Sequence, residues 1–222
     1  MLPIVRVSLP SKEILMKELE NVLYSGMIAE GEVVYRFEEE FAEHFGLPFA
    51  LAMSSGTAAL HAALVHCGVD GGEVVTTSMT AEPTNVAILQ AGGIPVFADV
   101  DPLSGNLDPL SIEQKITPKT KAIMVVHYAG IPARMKEIRE VADKFNIPII
   151  EDCAHALGAL YAGEGIGNIG DFAIYSLQAI KHMTTVDGGI LVCKNQDLIP
   201  HLKRFRSEEH TSELQSPDLI SY

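Results

Sequence analysis

The chain has 222 residues, of which 47% are hydrophobic, and its formal net charge is −13. This length and apolar content suffice for one domain with a sizeable core. A nucleic-acid-binding function is disfavoured, because the sequence offers no basic stripe that could neutralise phosphates. No apolar run approaches the ~18 residues that a membrane-spanning helix needs, and the first residues lack the apolar core of a signal peptide. We therefore expect a cytoplasmic protein that binds neither nucleic acid nor membrane.

Cysteine and histidine spacing gives no indication of a metal site. Cys67, Cys153 and Cys193 lie far apart in apolar surroundings, without CxxC spacing or a secretory framework, and are expected to be buried thiols. The histidines show no HExxH or comparable spacing, so no zinc site is predicted. His127 stands out among them, because the sequence VVHYAG places it at the end of an apolar run.

The C-terminal segment, Arg206 to Tyr222, differs from the rest of the chain. It shows neither helical nor strand periodicity, and the string RSEEHTSELQS resembles the translation of a short-read sequencing adapter. A segment of that origin has to be excluded from reasoning about the fold. We therefore predict a native domain over residues 1–205 and a non-native tail over residues 206–222.

In chain order, the predicted elements begin with two amphipathic helices. Ser11 can cap the first helix, whose apolar residues recur at helical spacing until Gly26. In the second helix, Phe41 and Phe45 lie on one face and Gly46 closes the pattern.

Seven short apolar runs then alternate with helical segments, which is the pattern of a mostly parallel sheet with helices on both faces. The fold class is therefore α/β. In such a sheet, ligands bind at the carboxyl ends of the strands. The predicted strands are Phe49 to Met53, Glu73 to Thr77, Ile94 to Val100, Ala122 to His127, Ile147 to Glu151, Phe172 to Ser176 and Gly189 to Cys193. The predicted helices between them are Thr57 to Cys67, Pro83 to Ala91, Pro109 to Ile116 and Ala133 to Phe145.

The segment SSGTAALHAAL places small residues where the first strand meets a helix. Gly56 allows a ligand to approach the backbone, while Thr57 and the amides of the first helical turn offer hydrogen-bond donors. A phosphate would fit there. The alternative is a capped helix after a tight turn, and the GxxxxGK[ST] spacing of a Walker P-loop is absent.

Asp152 follows an apolar run and is predicted to lie at the end of an interior strand, where a lone carboxylate is costly to bury. The protonated ring nitrogen of pyridoxal phosphate (PLP) would be a suitable partner, and the carboxylate would then strengthen the ring as an electron sink. His155, three residues later, could contact the ring hydroxyl. The alternative for Asp152 is a helix cap or an ordinary ion pair.

Lys181 lies five residues after Ser176, which ends the sixth apolar run. A tight polar turn, TTVDGG, follows the lysine shortly afterwards. A desolvated amine at this place would have a lowered pKa and could form a Schiff base. A solvated surface lysine is the alternative from position alone. Together with the carboxylate and the phosphate-sized loop, however, the lysine completes the set of groups that holds PLP.

Gly165, Gly167 and Gly170 spell GxGxxG, the dinucleotide fingerprint. That fingerprint requires a strand before it and a helix after it, whereas here a short loop precedes and an apolar run follows. A glycine-rich hairpin is predicted instead, which disfavours a nicotinamide oxidoreductase.

Six ordered blocks, from about Leu9 to Leu198, resemble the DegT/DnrJ/EryC1/StrS family of sugar aminotransferases, which have the aspartate aminotransferase type of PLP fold. The blocks are SGMIAEGEVVYRFEEEFAEHFG, SSGTAALHAAL, GGIPVFADVDPLSGNLD, TPKTKAIMVVHYAGIPARM, EDCAHALGA and GNIGDFAIYSLQAIKHMTTVDGGILV. The resemblance implies that residues 1–205 are the PLP-binding large domain and that the C-terminal small domain is missing.

The same resemblance implies a role for each candidate residue. Lys181 would form the Schiff base, Asp152 would pair with the ring nitrogen, and His155 would contact the ring hydroxyl. The phosphate would be held by Gly56, Thr57 and Ser176. Relatives usually stack an aromatic residue on the cofactor where this chain has Ala81 in TSMTAEPTN, so we expect the stacking group to come from elsewhere or to be absent.

The implied reaction transfers an amino group from an amino acid, glutamate in most relatives, to a keto sugar linked to a nucleotide, in a homodimer of the full-length protein. The alternatives are a PLP-dependent sugar dehydratase and a non-catalytic PLP-binding protein. Relatives with dehydratase activity replace the lysine by histidine, so Lys181 argues against that activity even though His182 is adjacent.

Overall fold

The computed structural model describes the backbone of Val7 and residues 9–214, together with the side chains up to Ser207. The helices are α1 (Lys12–Tyr24), α2 (Glu32–Phe45), α3 (Gly56–His66), α4 (Glu82–Gln90), α5 (Pro109–Lys115), α6 (Met135–Phe145) and α7 (Ile199–Leu214). The strands are β1 (Leu51–Met53), β2 (Glu73–Thr76), β3 (Ile94–Phe97), β4 (Thr120–Val126), β5 (Ile149–Asp152), β6 (Leu160–Tyr161), β7 (Glu164–Gly165), β8 (Phe172–Ser176) and β9 (Gly189–Cys193).

Seven strands form the central sheet in the order β1-β9-β8-β5-β4-β2-β3. The neighbours from β8 across to β3 are parallel, whereas β9 runs antiparallel to both β8 and β1. The prediction of a mostly parallel α/β sheet is thus confirmed. Strands β4, β5 and β8 are interior strands, and their carboxyl ends meet at one edge.

Each face of the sheet has its own hydrophobic core, which confirms the prediction of helices on both faces. Successive side chains of a strand point to opposite faces. Ile149 of β5 accordingly joins the core beneath α2, α5 and α6, while Ile150 joins the core beneath α3 and α4. Among the helices of the described residues, none combines the length and the apolar character needed to cross a membrane.

The predicted boundaries agree with the observed ones to within a few residues, and the larger differences have local causes. Strand β3 ends at Phe97 rather than Val100, which instead forms an isolated bridge with Leu107. Helix α6 begins at Met135 rather than Ala133, because the Ala133 amide donates to the ring nitrogen of His127 (3.1 Å).

Helix α1 has the predicted start, since the Ser11 hydroxyl accepts a hydrogen bond from the Ile14 amide. It ends at Tyr24 with Ser25 as the C-terminal cap, slightly before the predicted Gly26. None of its residues is buried, and the apolar residues that the periodicity placed on one face are exposed to solvent except Val22, which is partly buried.

Helix α7 was not among the predicted helices, and it continues through Arg206 to Leu214 although that segment shows no helical periodicity. The Arg206 side chain is buried and pairs with Glu30 and with Glu38 (2.6 Å to the latter), and it also donates to the Ala52 carbonyl (3.2 Å). These contacts attach the helix to α2 and β1. Residues 215–222 of the predicted tail lie outside the described part of the chain, and the domain boundary at residue 205 stays a prediction.

The GxGxxG segment binds a carboxylate of the protein itself. The Glu151 side chain, fully buried, accepts hydrogen bonds from the amides of Gly167 (3.1 Å), Ile169 (3.0 Å) and Gly170, and from His127 Nε2 (3.0 Å). His127 Nε2 is the donor, because Nδ1 already accepts from a backbone amide. A Cβ at Gly170 would come within 2.9 Å of Glu151, which explains why glycine is needed there.

The predicted glycine-rich hairpin is present, but only Gly165 belongs to it, in β7 paired with β6. Gly167 and Gly170 lie in the loop between β7 and β8. Because Glu151 already occupies the amides of this loop, they are not available to a pyrophosphate.

We expect Glu151→Gln to lower the free energy of unfolding by about 2–4 kcal/mol, because an amide NH₂ would face donors and the charge that complements them would be lost. Denaturant unfolding would measure the change. Glu164→Gln, the same substitution at an exposed position of β7, is the matched control and should leave stability within about 0.5 kcal/mol. Equal stabilities of the two variants would contradict this role of Glu151.

Candidate functional site

A cavity of about 540 Å³ opens at the carboxyl edge of the parallel strands, and all six candidate residues line it. They come from four places in the sequence: the start of α3, the end of β5 and the turn after it, the end of β8, and the loop between β8 and β9. The six are Gly56, Thr57, Asp152, His155, Ser176 and Lys181.

One end of the cavity is formed by the first turn of α3. The Ser55 hydroxyl accepts from the Ala58 amide (3.0 Å), and the Ser55 carbonyl accepts from the Ala59 amide (3.1 Å). This capping leaves the amides of Gly56 and Thr57 for a ligand at the positive end of the helix. A Cβ at Gly56 would come within 3.2 Å of the Ser176 Cβ, so glycine allows the helix start and the end of β8 to meet.

Asp152 ends β5 and is only 5% exposed. Its Oδ1 accepts from the Ala154 amide (3.1 Å), and its Oδ2 accepts from the Thr84 hydroxyl (2.8 Å). Within the described residues, no cation lies at ion-pair distance from this carboxylate. A buried anion that faces a cavity is suited to bind a cationic group of a ligand.

Lys181 lies in the loop between β8 and β9, where its amide donates to the Gln178 carbonyl (2.9 Å). Desolvation lowers the pKa of its amine, and the negative charge of Asp152 partly opposes that shift by raising it. The two side chains are thus close enough to interact electrostatically across the cavity. A lowered pKa makes the neutral, nucleophilic amine more accessible near neutral pH.

His155 is partly buried, and its pKa is lowered by desolvation, then by the positive charge of Lys181. Asp152 opposes this shift and His182 adds to it. The imidazole is therefore favoured in its neutral form, in which one ring nitrogen donates and the other accepts. The predicted contact with a ring hydroxyl remains a prediction.

The expected stacking position is occupied by Ala81, an exposed residue that precedes α4 and lines the cavity. The described lining contains no phenyl, phenol or indole ring, which agrees with the departure noted in the sequence. Sequence reasoning missed Thr80, Thr84 and Ala154, which also line the cavity. The available signal was the polar string TSMTAEPTN directly after β2, at the same edge of the sheet.

A second group of polar side chains, His127, Glu151 and Cys153, lies buried on the other face of the sheet, with ligand atoms within 4.8 Å of one another. The hydrogen bonds of the Glu151 carboxylate and of both His127 nitrogens are already made within the protein. Burial also raises the pKa of the Cys153 thiol, which favours the neutral form over a metal-binding thiolate. The group therefore fits a hydrogen-bonded core better than a metal centre.

A mostly parallel sheet with helices on both faces is the fold of the solved aminotransferases to which this chain is similar. The sequence pattern of the DegT/DnrJ/EryC1/StrS aminotransferase family matches residues 11–215, and the chain belongs to this family. It is 40% identical over 206 residues to the uncharacterised protein MJ1066 of Methanocaldococcus jannaschii, covering 92% of this chain and 53% of that protein.

Solved structures of sugar aminotransferases share the fold. CalS13 from Micromonospora echinospora superposes with a TM-score of 0.86 at 36% identity over 91% of this chain and 56% of its own. DesI, determined with its TDP-sugar product, gives 0.83 at 35% identity over 90% and 50%. The PLP form of Spr1654 from Streptococcus pneumoniae gives 0.82 at 30% identity over 92% and 56%. The chain thus spans about half the length of the relatives it matches.

We expect Asp152→Asn to lower the pKa of Lys181 further, because the carboxylate favours the charged amine and desolvation acts alone once it is neutralised. The rate of Lys181 acetylation as a function of pH, followed by mass spectrometry, would report this shift. Asp187→Asn, which neutralises another acid of the cavity lining, is the control and should leave the profile in place. An unchanged or raised midpoint in Asp152→Asn would contradict the electrostatic coupling.

Proposed function

We propose that the full-length protein is a PLP-dependent aminotransferase that moves an amino group from an amino acid to a nucleotide-linked keto sugar. The observation that carries this proposal is that Lys181, Asp152 and the start of α3 line one cavity. Each of these groups matches a different part of the cofactor, and they come from segments far apart in sequence.

The residues of the cavity fit PLP. The amides of Gly56 and Thr57 suit a phosphate, because they are donors at a helix N-terminus, and the Ser176 hydroxyl at the end of β8 adds a donor beside them. Asp152, which has no cationic partner among the described residues, suits a protonated ring nitrogen. When bound, PLP supplies an electron-withdrawing ring that stabilises negative charge on the carbon carrying the amino group.

The protein's own contribution would be attachment and proton transfer. Lys181 would hold the cofactor covalently through Nζ until an amino donor displaces it. The freed amine, whose pKa desolvation lowers, would then accept the proton from the donor carbon and deliver it to the cofactor. His155, favoured as a neutral imidazole, would contact the ring hydroxyl without adding a second positive charge beside Lys181.

The proposed substrates rest on the relatives. CalS13 is described as a sugar aminotransferase and DesI was determined with a TDP-sugar product, which supports a nucleotide-linked sugar as acceptor. Glutamate is the proposed donor because the family resemblance implies it.

We also propose that the full-length protein is a cytoplasmic homodimer. The homodimer rests on the family resemblance, and the location is the expectation from the sequence. The exposed apolar side chains along α1, such as Ile14, Leu19 and Leu23, are of the kind that a second subunit would cover.

We expect borohydride reduction of the PLP-loaded protein to leave a pyridoxyl group on Lys181, because reduction makes the lysine linkage permanent. Peptide mass spectrometry would locate the label. The label should be lost in Lys181→Ala and kept in Lys194→Ala, an exposed lysine outside the cavity. Label scattered over surface lysines, or unchanged in Lys181→Ala, would remove the basis of the proposal.

Incubation of the full-length protein with PLP, glutamate and a nucleotide-linked keto sugar should yield 2-oxoglutarate and an amino sugar in equal amounts. Chromatography with mass detection would measure both products. Loss of water from the sugar without consumption of glutamate would favour the dehydratase alternative. Stable PLP binding without turnover of any tested keto sugar would favour the non-catalytic alternative.

A further inference from the structure

We propose that Thr84 is a positioning residue for Asp152, with Thr80 behind it in a chain of two hydroxyl groups. The inference rests on the proposed PLP function, because it concerns how the carboxylate that faces the ring nitrogen is held. Neither threonine is among the residues that the family resemblance assigned to the cofactor.

The direction of the two hydrogen bonds follows from the chemistry of the carboxylate. Thr84 Oγ1 lies 2.8 Å from Asp152 Oδ2 and 2.8 Å from Thr80 Oγ1. An ionised carboxylate can only accept, so Thr84 gives its single hydroxyl proton to Asp152. The Thr84 oxygen therefore accepts from Thr80, which polarises the Thr84 hydroxyl and strengthens its bond to the carboxylate.

Burial makes this bond important. Thr84 is 2% exposed and Asp152 is 5% exposed, so water has little access to the contact. Thr84 provides the one side-chain donor to Asp152 within the described residues, and the other donor is the backbone amide of Ala154. With Oδ1 and Oδ2 each held by one donor, the plane of the carboxylate is fixed and lone pairs remain for a group in the cavity.

The position of Thr84 is itself fixed by the strand beside it. Thr84 lies in the first turn of α4, and the next residue, Asn85, accepts from the Thr76 hydroxyl (3.1 Å) and donates to the Thr77 carbonyl (3.0 Å). These bonds attach the start of the helix to the end of β2. The backbone of Thr84 is therefore fixed by the attachment of α4 to β2. A residue that orients a catalytic group needs such support.

Thr84→Val and Thr84→Ser separate the hydroxyl from the rest of the side chain. Valine keeps the shape and loses the donor, whereas serine keeps the donor and loses a methyl group. In the full-length protein, we expect Thr84→Val to weaken PLP binding about 10-fold or more, because a hydrogen bond to a charged group is lost. Thr84→Ser should stay within about 3-fold of the wild type, and Thr80→Val should lie between the two.

A second readout distinguishes positioning from simple stability. The visible absorbance of the lysine-linked cofactor changes with pH as the linking nitrogen loses its proton, and a protonated ring nitrogen lowers that midpoint by repulsion. A loosened Asp152 holds the ring proton less firmly, so the midpoint should move upward in Thr84→Val and not in Thr84→Ser. A purely structural threonine would change the melting temperature without moving the midpoint.

The outcomes are distinguishable. A wild type that forms no lysine-linked cofactor contradicts the proposed function and this inference with it. A wild type that does form it, with the same affinity and midpoint in Thr84→Val and Thr84→Ser, contradicts this inference alone. If Thr84→Val does not fold, Thr80→Val provides the test. A PLP affinity and an absorbance midpoint equal to those of the wild type in Thr80→Val would contradict the proposed chain of two hydroxyl groups.

Discussion

The site depends on a carboxylate buried at the end of an interior strand. Removing Asp152 from water costs several kcal/mol unless other groups replace the lost hydration. The fold supplies the Ala154 amide and the Thr84 hydroxyl, and the positive charge of Lys181 lies within electrostatic range. These groups complement the anion only in part, because none of them forms an ion pair with it in the described structure. The arrangement therefore favours a ligand that presents a cationic group to Asp152.

Strand β5 carries two adjacent carboxylates that lie in different environments. Glu151 points to one face of the sheet, where three amides and His127 satisfy it completely, and it organises the glycine loop as part of the core. Asp152 points to the other face, beneath α3 and α4, and retains capacity for a ligand. The alternation of side chains along a strand thus directs one acid into the core and the next one into the cavity. Two neighbouring acids would otherwise repel each other strongly in a common environment.

Much of the sheet could be predicted from the sequence, because its strands are mostly apolar and turn residues separate them from helical segments. The meeting of the six candidate residues at one cavity could also be predicted, since ligands bind at the carboxyl ends of parallel strands, and their roles stay predictions. The contact of Thr84 with Asp152 could not be predicted, because the two residues lie 68 positions apart in the sequence. Only the fold brings the start of α4 to the end of β5. Helix α7 as a whole was missed for a similar reason, since the ion pairs of Arg206 with Glu30 and Glu38 that attach it are long-range contacts. Local sequence patterns predict helices and strands, whereas contacts between distant segments can be identified only once the fold is known.

The central claim is that one cavity holds PLP between Lys181 and Asp152, and a crystal structure of the full-length protein grown with PLP tests it most directly. The account predicts continuous density from Lys181 Nζ to the cofactor, a phosphate at the amides of Gly56 and Thr57, and the ring nitrogen within hydrogen-bond distance of Asp152. A cofactor bound elsewhere, or one in this cavity with its ring nitrogen turned away from Asp152 and no bond to Lys181, would contradict the account.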